Sequence, residues 1–310
     1  MPAASAPPTH TLRFAQPSIA DLEVDARVLF ATDSTEPRGH LPLWQQLHQA
    51  SPERCIKVTR QETDRIEVAT GNSAAEWISL RDEQRLQLLV QGTGADSLYL
   101  DISGLGHHIW APIFKVARNR ARLRVVYAEP LSYRPHPSPA SPTMFDLSTG
   151  IGGVAPIPGM ARLTSRIDES KSILVAFLGF EGNRAQHVAL SLDSAQTVIP
   201  VIGVPGFRIE YPAFAIASNR TFLDEYQCHA EIRLARASCP FEAYRVLSDL
   251  RRDYPEHHFY IAPLGTKPHA LGAIHYAIKH PLFTEVVYDH PVRKAGRTRG
   301  VGTVHVYEIT

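Results

Sequence analysis

Hydrophobic residues fall into short runs separated by longer amphipathic stretches. The runs have the length of β-strands and are bounded by turn residues, at 27–31, 97–102, 123–128, 172–178, 197–202, 258–262, 284–288 and 303–309. The stretches between them carry apolar residues at helical spacing, at 74–91, 108–120, 183–193, 239–253 and 268–280. Strands that alternate with helices predict an α/β fold with mainly parallel sheets flanked by helices on both faces.

Two segments of the chain resemble each other. Residues 98–130 align with residues 259–291 without a gap, at an offset of 161, and share eight identical positions. The identities include Gly104 with Gly265 and His108 with His269, which shared apolar patterning explains poorly. We therefore expect two related, pseudo-duplicated Rossmann-like halves, although unrelated strand–turn–helix–strand units could also give eight identities.

Composition sets the limits of these halves. The stretch 131–160 is rich in Pro, Gly and Ser, as linkers are, so the first half is predicted at 21–160 and the second at 161–310. Residues 1–20 lack the features of a signal peptide and are expected to form a flexible or loosely docked arm. The last run is expected to return antiparallel.

The overall composition argues against several classes of protein. A chain of 310 residues with 44% hydrophobic content can fold without disulfides. Its net charge of +1 argues against a broad nucleic-acid-binding face, and no apolar run reaches the ~18 residues of a membrane helix. Cysteines and histidines show no metal-ligand spacing, and no dinucleotide or Walker fingerprint occurs. We expect a cytoplasmic protein without a membrane partner, a metal or a cofactor.

Loops at the carboxyl ends of parallel strands are where ligands of such sheets bind. The most informative one reads PLGTKP at 263–268 and leads into a predicted helix. Gly265 permits close backbone approach, Thr266 offers a hydroxyl and Lys267 supplies charge, so the loop predicts a phosphate site. An ordinary glycine turn with a solvated lysine is the alternative.

The corresponding loop of the first half carries Asp101, Ser103 and Gly104. These residues are candidates for binding a ribose hydroxyl or orienting a base. Asp and Ser also cap helix starts, which is an equally good explanation of their presence.

The loop GFEGNR at 179–184 follows the first strand of the second half and contributes Glu181, Asn183 and Arg184. A carboxylate beside a guanidinium could clamp a ribose and a phosphate, because Arg forms bidentate pairs with phosphate oxygens. A surface ion pair between Glu181 and Arg184 is the alternative.

The segment 203–212 is rich in Gly, Pro and aromatic residues, and is typical of a shaped lid. Arg208 is its candidate phosphate contact, and Phe207 or Tyr211 could stack on a base. A rigid connecting loop whose aromatic residues cover the sheet edge would have the same composition.

Residues 293–299 contain four cations, of which Arg293 and Lys294 are candidates for a second phosphate contact. Such runs are more often solvated. If the protein is an enzyme, His269 and Glu181 are the candidate acid and base, although a hydrogen bond at the helix start is the favoured explanation of His269. His107 is expected at the surface or at a strand end.

The segment PLGTKPHALGA at 263–273 resembles the G-T-K motif of CRISPR-associated Rossmann-fold (CARF) sensor domains. Two such halves in one chain are similar in plan to SAVED domains. The resemblance implies a nucleotide or oligonucleotide ligand held by Gly265, Thr266 and Lys267, and a sensor or regulatory subunit in bacterial antiviral defence that acts through a partner effector. The alternatives are a hydrolase, phosphodiesterase or glycosidic-bond-cleaving enzyme acting on a phosphorylated nucleotide or sugar, and a scaffold subunit.

Overall fold

The computed structural model describes residues 11–91, 97–119, 122–141, 143–161, 171–192 and 197–309, which form a mixed α/β structure. The strands are β1 (Thr11–Phe14), β2 (Arg27–Ala31), β3 (Cys55–Gln61), β4 (Arg65–Thr70), β5 (Glu76–Ser79), β6 (Ser97–Asp101), β7 (Arg122–Ala128), β8 (Ser132–Tyr133), β9 (Pro135–Ala140), β10 (Thr143–Phe145), β11 (Ser148–Ile151), β12 (Ala155–Pro156), β13 (Ser172–Phe177), β14 (Thr197–Gly203), β15 (Arg233–Ala235), β16 (His258–Pro263), β17 (Thr284–Tyr288), β18 (Pro291–Arg293), β19 (Thr298–Arg299) and β20 (Val304–Ile309). The helices are α1 (Pro42–Ala50), α2 (Glu83–Gln91), α3 (His107–Ala117), α4 (Gly182–Leu190), α5 (Tyr211–Ser218), α6 (Arg220–Glu225), α7 (Pro240–Asp253) and α8 (Lys267–Lys279).

The larger sheet has the strand order β1-β20-β7-β6-β2-β3-β4-β5. Its central strands β7, β6, β2 and β3 run parallel, and antiparallel pairs extend it on both sides. A central parallel strand is buried on both faces, and all of β6 is buried accordingly. The apolar runs at 27–31 and 97–102 predicted β2 and β6, because a strand that is buried on both faces needs no alternation of apolar and polar residues.

The smaller sheet has the order β12-β17-β16-β13-β14-β15, parallel except for β12. Its first parallel strand, β13, lies between β14 and β16, so the strand order reverses at β13. In the larger sheet β2 lies between β3 and β6 in the same way. Such reversals are the points at which open α/β sheets form ligand-binding crevices.

Helices that accompany the two sheets pack on each other, and we refer to the larger sheet with α1–α3 as the first half and to the smaller sheet with α4–α8 as the second half. The ring of Phe114 in α3 meets that of His275 in α8 edge-on, at 5.7 Å between centroids. The largest hydrophobic cluster runs through both halves and includes Trp110 from the first and Phe259 from the second. Each such aromatic side chain contributes about 1.5–3 kcal/mol through burial. The two sheets therefore share one continuous core.

Two crossing segments, 129–157 and 289–303, connect the halves and pair with each other through β8 with β19 and β11 with β18. The first segment ends in β12, which joins the smaller sheet beside β17. The second leads to β20, which joins the larger sheet beside β7. A division of the sequence at residue 160 thus does not separate the sheets, because each half receives a strand from the other side of that division.

Several local expectations can be compared with the structure. The last strand is antiparallel, as predicted. Part of the predicted arm is ordered, because Thr11–Phe14 pairs with β20, while residues 1–10 lie outside the described residues. The helix predicted at 74–91 is wrong over its first part, where Glu76–Ser79 pairs with β4. Among the helices that the structure describes, none has the length and apolarity needed to cross a bilayer.

Candidate functional site

A cleft of about 850 Å³, including its open mouth, lies at the carboxyl ends of β13 and β16, where the strand order reverses. We call it the central cleft. The two strand ends approach closely because glycine follows each of them. A Cβ at Gly265 would lie 2.7 Å from the Leu178 carbonyl oxygen, and one at Gly179 would lie 2.9 Å from that of Leu264.

Cationic and aromatic side chains from both halves line the central cleft. The cations are Arg38, Arg184, Lys267, Arg293 and Arg297, and the aromatic residues are Tyr127, Tyr133, Phe180, Phe207, Tyr211 and Tyr288. The first half and the crossing segments supply residues to both sets. The cleft is therefore a joint product of the two halves.

Arg184 is held by a buried carboxylate. Its Nε and Nη2 atoms donate to Asp289, at 2.7 and 2.8 Å, and Asp289 is fully buried. Burial opposes the charge of Arg184, but the bond to Asp289 outweighs it and raises the pKa of the guanidinium. Glu181 lies 3.7 Å away and accepts a bond from Ser148. The bidentate pair fixes Arg184 at the cleft wall.

Arg38 is held in a comparable way from the first half. Its Nε donates to Glu36 at 2.8 Å, and its Nη1 donates to the Tyr127 hydroxyl at 2.9 Å. Glu36 also accepts from Arg297 and from the Thr298 hydroxyl. Burial favours a neutral Glu36, yet the attraction of Arg38 and Arg297 holds the pKa of its carboxyl far below the usual range.

The two arginines occupy corresponding positions. Leu29 pairs with Leu100 in the larger sheet, and Val175 pairs with Ile261 in the smaller one, where 100 and 261 differ by the offset of 161. Arg38 and Arg184 each lie nine residues beyond these strand positions. Each guanidinium also lies over the ring of a corresponding tyrosine, Tyr127 at 5.5 Å and Tyr288 at 5.9 Å.

Lys267 extends from the start of α8 to the other half. Its Nζ donates to the carbonyl oxygens of Ile102 and Ser103, at 2.5 Å each, and the residue is 4% exposed. Burial lowers the pKa of Lys267 well below its ordinary value, with Arg293 and Arg38 adding repulsion. This lysine lines the cleft and also tethers the two halves.

Arg293, on β18, lies over the same loop. It donates to the Leu105 carbonyl oxygen at 3.5 Å and to Nδ1 of His107 at 3.3 Å. Burial, followed by repulsion from Arg297, lowers the pKa of Arg293. Within the described residues, neither Arg293 nor Lys267 forms an ion pair with a carboxylate.

His107 lies at the start of α3 and is a buried member of the cleft, whereas the sequence predicted a position at the surface or at a strand end. It is 6% exposed, and its ring lies 5.0 Å from that of Tyr288. Burial and the nearby arginines lower its pKa well below the usual value, so the ring is neutral. Since a guanidinium can only donate, Nδ1 is the acceptor and Nε2 carries the proton. That Nε2 atom is buried without a partner among the described residues.

Eight of the residues singled out from sequence line the central cleft, namely Glu181, Arg184, Phe207, Tyr211, Gly265, Thr266, Lys267 and Arg293. The Thr266 hydroxyl already has partners within the protein. It accepts a bond from the backbone N–H of His269 at 3.3 Å and donates to the Ala237 carbonyl oxygen at 2.7 Å. The cap therefore uses one of the backbone N–H groups at the start of α8.

Other predicted site residues lie elsewhere. Asp101 is buried and accepts bonds from Trp44 and the Ser103 backbone, and the Ser103 hydroxyl accepts from the Ala128 backbone. Gly104 packs against Ala31. Asn183 lines a neighbouring pocket. Arg208 is exposed and forms an ion pair with Glu210, and Lys294 forms an ion pair with Asp146.

His269, the sequence candidate for a general acid or base, is absent from the described lining of the central cleft. It is fully buried, and its Nε2 bonds to the Arg236 carbonyl oxygen at 3.0 Å. Burial lowers its pKa to about 4. Its contacts support a structural role.

Sequence reasoning missed lining residues such as Arg38, His107, Tyr133 and Arg297. Arg38 had a detectable signal, because it lies as far beyond its strand as Arg184 does. Arg297 belongs to the run of cations at 293–299, but its place in the cleft, like that of Tyr133, depends on the pairing of the crossing segments.

Comparison of the chain with models of known protein families, with curated proteins and with solved structures found no match.

Proposed function

We propose that the protein binds a nucleotide or short oligonucleotide in the central cleft and acts as a sensor or regulatory subunit through a partner effector. The observation that carries this proposal is the combination of cationic and aromatic side chains in one cleft between the two halves. Arginine and lysine are suited to phosphate, and aromatic faces are suited to a base.

The aromatic residues of the cleft support the binding of a base. Phe207 stacks on Tyr127 at 6.0 Å between centroids. Tyr211 packs edge-on against Phe180 and Tyr133, at 5.2 and 5.8 Å. Rings that support one another lose little freedom when a base docks on them, so they form a prepared stacking surface.

The position of the cleft supports a regulatory role. Lys267 holds the two halves together through two carbonyl oxygens and lines the ligand space at the same time. An anion that draws Lys267 away from those carbonyls changes the contact between the halves. The role in antiviral defence rests on the G-T-K resemblance alone.

We also propose that the halves arose by duplication. Leu98 pairs with Leu123 and Phe259 pairs with Thr284, so the ungapped alignment keeps the strand register. The matched Arg38–Tyr127 and Arg184–Tyr288 contacts add a second correspondence that the sequence alignment did not include.

The first experiment is native mass spectrometry with nucleotide extraction on protein purified from its own host. We expect a nucleotide or oligonucleotide to co-purify. Recombinant Lys267→Met protein should bind that compound at least tenfold more weakly, because a charged hydrogen bond contributes about 1.5–3 kcal/mol. Arg252→Met is the control, since Arg252 is exposed and pairs with Asp249. An empty cleft that also ignores a nucleotide panel would refute the proposal.

The enzyme hypothesis retains one supporting observation, the Glu181 carboxylate in the cleft lining. An enzyme should convert the bound compound to a product, and Glu181→Gln should abolish conversion while preserving binding. Recovery of the extracted compound unchanged after incubation with the protein would exclude it.

A further inference from the structure

The central cleft has a formal excess of positive charge. Among the described residues, three of its five lining cations, Arg38, Arg184 and Arg297, form ion pairs with a total of three carboxylates, Glu36, Glu181 and Asp289. The formal excess of two charges falls on Lys267 and Arg293, and because burial and Arg293 lower the pKa of Lys267, an anion is needed to favour its charged form. A fourth carboxylate, Asp101, attracts Lys267 only at longer range than an ion pair and is occupied by bonds to Trp44 and Ser103.

The two unpaired cations lie together. Lys267 contacts the carbonyl oxygens of Ile102 and Ser103, and Arg293 contacts that of Leu105, so both stand over one short loop. Arg293 is also the charge that acts most strongly on Lys267. Two like charges held this close in a buried site are costly without an anion between them.

This charge breaks the correspondence between the halves. The offset of 161 places Gly106 opposite Lys267 and Ser132 opposite Arg293, and neither residue is charged. Arg38 and Arg184, which form ion pairs, have counterparts in both halves. Lys267 and Arg293, which form none among the described residues, lie together over one loop. A ligand with a single highly charged group fits this arrangement better than one with two equivalent weakly charged groups.

His107, a neutral ring in the cleft lining, lies beside Arg293. Its Nδ1 accepts from Arg293, and its Nε2–H is buried without a partner among the described residues. A buried unsatisfied N–H is unfavourable, and an anion at this position would satisfy it.

We infer that the central cleft selects a phosphomonoester, held between Lys267 and Arg293 with His107 as a further donor, over a phosphodiester. A terminal phosphate carries about −1.5 to −2 charges at pH 7 and three acceptor oxygens, whereas a diester carries one charge. This inference rests on the proposed nucleotide-binding function and names the ligand class of the same cleft.

The test is isothermal titration calorimetry on the full chain with four nucleoside 5′-monophosphates, the four matching 3′,5′-cyclic monophosphates, the nucleosides and inorganic phosphate. We expect at least one 5′-monophosphate to bind tenfold or more tightly than its cyclic counterpart. Arg293→Met should reduce that preference to about twofold or less. Arg299→Met is the matched control, because Arg299 lies on the same crossing segment but is exposed and outside the lining.

The outcomes separate this inference from the proposed function. Cyclic monophosphates or nucleosides that bind as tightly as the 5′-monophosphates would overturn the phosphomonoester inference and leave nucleotide binding intact. Failure of every compound to bind at millimolar concentration would overturn the phosphomonoester inference, and nucleotide extraction from the host-purified protein would then decide whether the cleft binds an oligonucleotide. The wild-type comparison decides the question even if the Arg293 variant does not fold.

Discussion

At the scale of single residues, the central cleft is built from buried charges whose partners differ. Arg184 is satisfied by a buried carboxylate, whereas Lys267 is satisfied only by carbonyl oxygens. The first kind of contact fixes a side chain, and the second leaves a net charge for a ligand. These two kinds of residue should therefore respond differently to substitution.

Asp289→Ala should lower the free energy of unfolding by about 3–5 kcal/mol, because it leaves Arg184 buried without its counter-charge. Urea denaturation measures this directly. The double variant Arg184→Met with Asp289→Leu should recover most of the loss. Asp249→Ala is the control, since its pair with Arg252 is exposed and should change stability by less than about 0.5 kcal/mol. A loss below about 1 kcal/mol for Asp289→Ala would show that the pair is not buried in solution.

His269 predicts a dependence of stability on pH. Burial lowers its pKa from 6.5 to about 4, so between these values the unfolded chain binds a proton that the folded chain refuses. Stability should therefore fall as the pH drops from 6.5 to 4, by up to about 3 kcal/mol from this residue. Urea unfolding at pH 7 and pH 4.5 should show a smaller loss in His269→Gln than in the wild type. Equal losses in the two proteins would contradict the assignment.

The candidate residues show what sequence could reach at this scale. Lys267 and Arg184 were found because each follows an apolar strand at the edge where ligands bind. His269 and Thr266 carry the right chemical groups, yet both are used to build the start of α8. Local pattern does not reveal whether a polar group is satisfied by the fold itself.

At the scale of elements, strand pairing decides the outcome where local pattern is ambiguous. Residues 74–79 were predicted as the start of a helix, but Glu76–Ser79 forms a strand because β4 offers an edge beside it. The parallel strands were easier to predict, since their continuous apolar runs reflect burial on both faces. The short strands of the crossing segments pair only across long separations, which no local pattern encodes.

The strand β20 should be essential for the larger sheet. It lies between β1 and β7, and Val306 on it is 7% exposed within the core. Val306→Asp should lower the free energy of unfolding by about 3 kcal/mol or more, because a carboxylate there is buried without a partner. Glu308→Ala is the control on the same strand, since Glu308 is partly exposed and its contact with Arg124 is long, at 3.5 Å. Thermal unfolding followed by circular dichroism measures the difference. Equal melting temperatures for Val306→Asp and Glu308→Ala would contradict the prediction.

At the scale of the whole molecule, the exchange of strands joins the halves more firmly than a linker would. The chain returns to its first sheet through β20, and Tyr307 on that strand donates to the Ser238 carbonyl oxygen of the other half at 2.7 Å. The cleft lies between the halves that this exchange holds together. Its shape therefore depends on both sheets being complete.

Residues 1–160 expressed alone should fail to form a stable domain. They lack β20, so the outer edge of β7 and the strand β1 lose their partner, and the core loses the buried side chains of Val304, Val306, Tyr307 and Ile309. Co-expression with residues 161–310 should restore a folded complex. The intact chain should unfold in one transition, because the core is continuous across the halves. Circular dichroism and limited proteolysis of the fragment provide the measurement, and a cooperative melt of residues 1–160 alone would show that the first half is an independent domain.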